Sequence, residues 1–508
     1  MSAPTAVIDE RPRQGGPARL GFRRRVDMHV LRWQARLDGE WADRVVPAAA
    51  AVGLFVLLAA LALARVRSLE APLDLAAAVQ GTWLLGEGLD PMVTIGGSEH
   101  VLARQAAFVM LPIGLLGRVV PIEPLLLLLQ AAALGAAVVP LWWIARRHAH
   151  LRAGASLTLV VVYALYPAVH NLNLSGFHPE VLAMPALLGA MFFGLGGRWR
   201  PFAACAAITV LCRADLGLAV AGLGALLAWR GERRAGAITA AAGIGWTVLA
   251  IGVIQPVVTG GDTAHLDAFA AYGDSLIDVA IGMVTHPVQV LGDLFDQANF
   301  DLFVMLFAPV LFLPLIAPRF LVPVLPLQFL YLVSDVPVTA RVGQQTVAIT
   351  SFVFLATAFA LAGFGRKGIE KITVDGRLLG ALVLSASVFF VQDAASSPYA
   401  EPWGWGGSDA ADAAGRALAS EVPDEVAVRA SPTLVLLVAQ RPDVLVAKGD
   451  PDAAALAEGV DVVLLDAGDH PRWDRADWRA LRAGLAEEGF RLDGADATVE
   501  LWVRRDSP

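Results

Sequence analysis

The chain has 508 residues, of which 56% are hydrophobic and only 17% charged, and its mean hydropathy is +0.59. That is too apolar for an ordinary soluble protein. Several apolar runs approach the ~20 residues that cross about 30 Å of hydrocarbon, so the class is a polytopic helical membrane protein. The formal net charge of -8 combines an Arg-rich N-terminus and short basic loops with acidic longer loops, so it speaks to topology rather than to partners.

Residues 1–44 carry Arg11, Arg13, Arg19, Arg23, Arg24, Arg25, Arg32 and Arg36 and lack the pattern of a cleaved signal. They read as a cytoplasmic arm that orients the first helix, not as a nucleic-acid binder. A first span follows at 45–64, then an outer loop over 65–123. Its stretch 70–104 gathers Glu70, Asp74, Glu87, Asp90, Glu99 and His100 between two apolar runs. Carboxylates beside a bilayer meet substrate, ions or water, because burial in hydrocarbon costs several kcal/mol. The rest of the chain reads as a scaffold that presents this loop.

Residues 105–117 are too short and too interrupted by Pro and Gly to cross easily, and are expected to lie in the interface. That choice leaves the cluster Arg146, Arg147, His148, His150 and Arg152 facing inward after a second span at 124–145. A third span at 155–169 leads out to His170–Glu180, and a fourth at 181–196 returns to Arg198 and Arg200. Residues 201–229 have basic ends on both sides and so cross an even number of times. Two short spans with Arg213 and Asp215 at their apex fit, and so does a re-entrant pair.

A seventh span at 235–258 precedes a second outer loop, 259–301. Its Asp262, His265, Asp267, Asp274, Asp278, Asp293 and Asp296 read as mostly solvated surface. Spans at 303–317 and 320–333 meet at Pro318-Arg319. A tenth, at 346–364, ends at Arg366, Lys367 and Lys371, and an eleventh covers 378–391. Beyond them SSPYAEPWGWGG (396–407) is a linker. Helical stretches then alternate with β-like runs at 426–430, 435–439, 444–448, 461–466 and 499–505, the pattern of a small α/β domain. The domains are thus the arm 1–44, a transmembrane unit 45–393, and an extracytoplasmic α/β domain 394–508. Neither GxGxxG nor a P-loop accompanies it, so no nucleotide is assigned. Cys205 and Cys212 share one apolar run without metal or disulfide spacing.

Four polar constellations are expected on one face of the membrane: Asp74 with Glu99-His100, His178-Pro179-Glu180, Arg213 with Asp215, and Ser334-Asp335 with Arg341. Each has a bland reading. Asp74 could be a solvated or capping acid. His178-Pro179-Glu180 could start a helix, with Pro in its first turn and Glu facing the helix dipole. Arg213 and Asp215 could be a structural ion pair, although ionisable groups inside an apolar run are functional candidates by default.

The stretches LDLAAAVQGTWLLGEGLDP (73–91), SEH (98–100), GFHPEVLAMPALLGA (176–190), LCRADLGLAVAGLGALL (211–227) and LFLPLIAPRFLVPVLPLQFLYLVSD (311–335) resemble the DUF2079 family of bacterial membrane proteins. That family is itself similar to the GT-C glycosyltransferase superfamily. Its first-loop pattern D-L-G-x-x-D-Q-x-x-W is matched by Asp74, Gln80 and Trp83, with Val79 in place of the second acid. Its Asp-His pair appears as Glu99-His100 and its Lys-Glu-Asp as Arg213-Ala214-Asp215. Gln344-Gln345 stand near where a His-Tyr is expected.

The resemblance implies an all-α, GT-C-like bundle of about eleven membrane helices with a C-terminal α/β domain. It also implies transfer of a sugar from a polyprenyl-phosphate donor to a glycan, lipid or protein acceptor of the cell envelope, at the extracytoplasmic face. Asp74 would be the general base. Glu99, His100, His178, Glu180 and Asp215 would position the acceptor or a divalent ion, and Arg213 and Arg341 would bind phosphate. Mg²⁺ or Mn²⁺ would suit these ligands, though no spacing demands a metal. The other readings are a transporter or flippase of lipid-linked sugar and a non-catalytic envelope-assembly protein on the same scaffold. Large outer loops without an evident inverted repeat favour surface chemistry over alternating access.

Overall fold

The computed structural model describes residues 38–260, 266–336, 343–368 and 371–505. The basic arm up to Arg36, Asp262, His265 and Arg341 lie outside the described residues. The chain runs through α1 (Glu40–Arg67), α2 (Leu73–Glu87), a hairpin of β1 (Met92–Val93) and β2 (Glu99–His100), α3 (Val101–Gln105) and α4 (Met110–Gly117). Then come α5 (Ile122–His148), α6 (Ala153–Ala164), α7 (Pro167–Leu174), α8 (Pro179–Leu195), α9 (Trp199–Cys212), α10 (Leu216–Trp229) and α11 (Arg233–Thr259). The bundle closes with α12 (Leu276–Thr285), α13 (Pro287–Leu294), α14 (Gln297–Phe307), α15 (Leu325–Val333), α16 (Thr346–Phe364) and α17 (Gly376–Asp393).

Among the described residues five helices, those of α1, α5, α11, α16 and α17, are long and apolar enough to cross a bilayer, and α6 with α7, bent by 40°, make a sixth if taken as one span. The bend falls where Pro167 opens α7, since a proline has no N–H for the preceding turn. The apolar helices α8, α9 and α10 are shorter. α4 has only eight residues, about 12 Å of helix.

The two continuous spans expected over 303–317 and 320–333 are not formed. After α14 the backbone passes through short 3₁₀ turns at Ala308–Val310, Leu313–Ile316, Pro318–Phe320 and Val322–Val324 before α15. Pro309, Pro314, Pro318 and Pro323 each open or enter one of these turns. Each removes a donor and its ring clashes with the preceding carbonyl, so an α-helix cannot propagate.

α16 is the central post. Phe352, Val353, Phe354, Leu355 and Ala356 are all fully buried, as a helix apolar on every side must be. Thr357 returns its hydroxyl to the Val353 carbonyl at 2.7 Å, so its donor is not stranded in the core.

Basic groups gather at one end of the bundle. Buried Arg146 is bound by Asp38 at 2.8 Å and Asp43 at 2.7 Å. Lys371 donates to the Arg146 carbonyl at 2.9 Å. Arg147 and Arg198 lie over the Phe192 and Phe193 rings. The acidic first loop and the tail domain lie at the other end.

The tail comprises α18 (Ala410–Glu421), β3 (Val428–Ala430), β4 (Val444–Val446), α19 (Ala453–Ala457), β5 (Val462–Asp466), α20 (Arg475–Glu487), β6 (Phe490–Asp496) and β7 (Val499–Arg504). Its sheet has the order β4-β3-β5-β7-β6, with β3 parallel to β4 and β5, and β7 antiparallel to β5 and β6. Asp409 with Asp412 and Asp474 with Asp477 form capping boxes on α18 and α20, each satisfying amides a helix start leaves open. The run 435–439, expected as a strand, contains a 3₁₀ turn at Val435–Val438, while β6 falls outside the expected strands. A short all-apolar run has no periodicity to separate turn from strand. The alternation in 490–496 is hidden by Asp493, Gly494 and the register shift between Leu492 and Gly494.

The tail domain is seated directly on the first loop. Val66, Leu69, Leu75 and Val79 share one buried apolar cluster with Leu418, Leu434, Val435 and Val438. Arg65 lies over the Trp405 ring, and the Gly406 amide donates to Ser68 at 2.8 Å.

Candidate functional site

The first loop after α1 folds into α2, which presents Asp74 in its first turn, where free N–H groups favour a carboxylate. The chain after α7 closes onto this turn through Gly176. Its φ is +117°, and a Cβ there would stand 3.0 Å from both the Asp74 Cβ and the Leu75 nitrogen. Glycine alone meets both the backbone angle and the approach.

A buried amide fixes the same segment from behind. Gln130 of α5 donates to the carbonyls of Leu172 at 2.8 Å and Asn173 at 3.3 Å, and to that of Gly176. Its oxygen accepts from the His178 amide at 2.9 Å. The result is a cleft of about 200 Å³ whose walls include Asp74, Gly96, Glu99, Gln105, Phe177 and His178. Asp74, Glu99 and His178, separated by up to 104 positions in sequence, therefore share one cavity.

Beyond Pro179 lies an ion cluster. Arg213, in extended backbone between α9 and α10, meets the Glu180 carboxylate at 3.0 Å and the Asp215 carboxylate at 3.0 Å. Tyr331 of α15 donates to Asp215 at 2.8 Å, and its ring lies 5.4 Å beneath the guanidinium. Glu180 is 1% exposed, and its second oxygen has no hydrogen-bond partner among the described residues. One guanidinium faces two carboxylates, so the cluster carries a net charge of about −1 if all three are ionised. The cleft and the cluster touch through Gln105, whose carbonyl accepts from the Ala214 amide at 2.9 Å. Gln105 also reaches Gln344 at 3.5 Å.

Not every expected residue enters the cleft. His100 caps α3, its Nδ1 accepting from the Leu102 amide at 3.1 Å. Burial holds its pKa below the usual histidine value, against the pull of Asp90. Glu180, Arg213 and Asp215 stand behind the Pro179 wall. Buried Ser334 donates to the Tyr331 carbonyl at 2.9 Å. Among the described residues no three His, Cys, Asp or Glu side chains are grouped to enclose a metal ion.

The structure adds residues that the motifs did not single out. Gln130, Gln105 and Tyr331 organise the site, and Thr94 joins it to the tail domain. A lone amide in the apolar run LLLLLQAAALGA was the available signal for Gln130.

Residues 65–487 match the family described as predicted membrane protein (DUF2079). The chain belongs to the DUF2079 family. The matched region of this DUF2079 protein runs from the end of α1 into α20, and so contains the cleft and most of the tail domain. No curated protein matches it. It is similar to ArnT from Cupriavidus metallidurans bound to undecaprenyl phosphate, with 12% identity, 90% of this chain and 98% of that chain covered, and a TM-score of 0.41. The apo state of the same protein gives 13% identity, 89% and 98% coverage, and a TM-score of 0.37. The apo oligosaccharyltransferase of Archaeoglobus fulgidus gives 10% identity, 90% and 74% coverage, and a TM-score of 0.43. Likenesses this distant carry no functional argument, so the site must be read from its own geometry.

Proposed function

We propose that this DUF2079 protein transfers a sugar from a polyprenyl-phosphate donor to a hydroxyl of a cell-envelope acceptor, and that the cleft beside Asp74 is where the two meet. The observation that carries this reading is the convergence of Asp74, Glu99 and His178 in one cleft against the buried Arg213 cluster, at a membrane-bundle end. In this reading α1, α5, α6–α7, α8, α9, α10, α11, the two broken segments around α14 and α15, α16 and α17 all cross. The basic end is cytoplasmic, by the positive-inside rule. The cleft and the tail domain then face away from the cytoplasm.

Asp74 takes the acceptor hydroxyl proton as that oxygen bonds to the anomeric carbon and the bond to the lipid phosphate breaks. Glu99 and His178 orient the acceptor across the cleft, and His100 acts through α3, the helix it caps at the end of β2. Glu180 and Asp215 hold Arg213. A lipid phosphate would bind Arg213 by displacing one of these carboxylates, with Arg341 as the second cation. A divalent ion would have to draw ligands from the substrate phosphate as well as from Asp74 or Glu99.

The test is Asp74→Asn in membranes supplied with a labelled polyprenyl-phosphate sugar. Transfer by the wild type and its loss in the variant, with Arg213-cluster stability unchanged, supports the reading. Equal transfer in both removes Asp74 as base. Movement of label between leaflets without transfer would replace the enzyme by a transporter.

A further inference from the structure

Between α11 and α14 the chain runs outside any membrane span, and α12 and α13 turn a stripe of large apolar side chains outward. Ile277, Ile281 and Val284 stand on α12, and Val288 and Leu291 on α13, with Phe295 just beyond it. All six are exposed, Val284 by 79% and Val288 by 83%. They recur every three or four residues, which places three on one side of α12 and two, followed by Phe295, on one side of α13. The opposite side is already used: Val279 and Val290 pack with Tyr272 and Val333 in a small core.

Three features say what covers the outer stripe. The segment is bounded at both ends by apolar helices, α11 and α14. It leaves α11, which is long and apolar enough to span, beside the exposed Val253 and Val257, and enters α14 beside the exposed Phe300 and Phe303, so the stripe is flanked along the chain by outward apolar side chains at both ends. It is also clipped to the end of α15, by Asn299 donating to the Leu332 carbonyl at 2.8 Å and the Asp335 amide donating to the Ala268 carbonyl at 2.7 Å.

The third feature is charge. From Gly260 to Pro318 the sequence has no Lys or Arg, while it carries Asp267, Asp274, Asp278, Asp293, Asp296 and Asp301. Attraction to anionic headgroups is thereby removed, and only apolar insertion is left.

We propose that α12 and α13 lie in the bilayer interface with this stripe inserted at the headgroup–acyl boundary, and that their partner is a neutral or zwitterionic lipid surface. This does not depend on sugar transfer. It makes the pair a lipid-borne arm tied, through α15, to the Tyr331–Asp215 bond of the ion cluster.

The experiment uses the full chain in phosphatidylcholine nanodiscs, with Cys205→Ala and Cys212→Ala as background and an environment-sensitive fluorophore on Val284→Cys, Val288→Cys or Asp274→Cys. Emission from positions 284 and 288 is expected to shift to the blue and to be quenched by lipids spin-labelled near the headgroup, while position 274 stays water-like. Water-like emission at 284 and 288 overturns the proposal. So does lipid contact that needs anionic lipid and vanishes in salt, or a blue shift accompanied by energy transfer between copies in place of lipid quenching. As an independent measure, Val284→Asp with Val288→Asp is expected to speed hydrogen exchange across 276–295 in nanodiscs and leave 73–104 unchanged. Unchanged exchange across 276–295 counts against it equally.

Discussion

Gln80 joins the cleft to the tail domain, and its removal is the sharpest test of how the cleft is held. It is 0% exposed and its oxygen accepts from the amides of Thr94 at 2.9 Å and Ile95 at 3.2 Å. Its nitrogen donates to Thr94 Oγ1 at 2.9 Å and to the carbonyls of Arg441 at 3.2 Å and Pro442 at 3.0 Å. Thr94 Oγ1 in turn pairs with both backbone groups of Val444, donating at 2.8 Å and accepting at 2.9 Å. One amide therefore fixes the cleft wall around Ile95 and, through Thr94, the open edge of β4.

Gln80→Leu keeps the volume but leaves two amide donors buried without acceptors. At about 1–3 kcal/mol for each orphan, less what relaxation recovers, the interface should lose about 3 kcal/mol. That is roughly a hundredfold in the local opening equilibrium. Hydrogen exchange of 92–97 and 441–446 in the intact protein reads it directly. Gln80→Glu should not rescue, because a carboxylate would face the Thr94, Arg441 and Pro442 oxygens. Wild-type exchange in Gln80→Leu would show that the tail domain holds its seat by apolar contact alone, and would refute the role of Gln80 as its polar clasp.

Other outcomes follow from single contacts. Gly176→Ala must adopt a positive φ and push its Cβ against the first turn of α2. It should cost about 1–3 kcal/mol in thermal stability and displace Asp74, lowering ligand binding in the cleft more than a distant Gly→Ala of equal stability cost. Arg213→Leu strands the Glu180 carboxylate and should cost about 3–5 kcal/mol, whereas Arg213→Leu with Glu180→Leu should recover much of it. Equal loss in both would deny the ion pairing. His470 is buried, stacked on Trp473 at 3.8 Å and bonded to Ser431 Oγ at 3.1 Å. Burial holds its pKa below the ordinary 6.5, opposed by Asp469 and Asp466. Below about pH 6.5 the unfolded tail binds the proton that the native tail refuses, so stability is full above that pH and falls as the solution is acidified. Trp fluorescence of unfolding between about pH 7.5 and pH 5 should show this slope, and His470→Gln should flatten it. A flat wild-type profile would rule out His470 as its source.

The motifs made Asp74, His178 and Arg213 visible because ionisable groups are rare in a chain this apolar and stand out wherever they interrupt it. Their partners were harder to see. Gln80 stood in the first-loop motif and Gln130 alone in an apolar run, but what each holds was hidden, because it lies in backbone groups far along the chain that only folding brings within about 3 Å. Arg213 and Asp215 were readable as a pair. That Glu180 is the third member depends on how the first turn of α8 meets the apex of α9 and α10.

What the sequence determined alone was the class, the family and the places where charge interrupts hydrocarbon, since length and hydropathy decide whether a segment can lie in a bilayer. The tertiary structure decided which interruptions meet. It put Asp74, Glu99 and His178 around one cleft, withdrew Arg213 behind it, and broke 308–324 into turns. Those outcomes follow from a glycine approach, a buried amide and a row of prolines, and contacts of that kind are set by packing geometry, which no local pattern records.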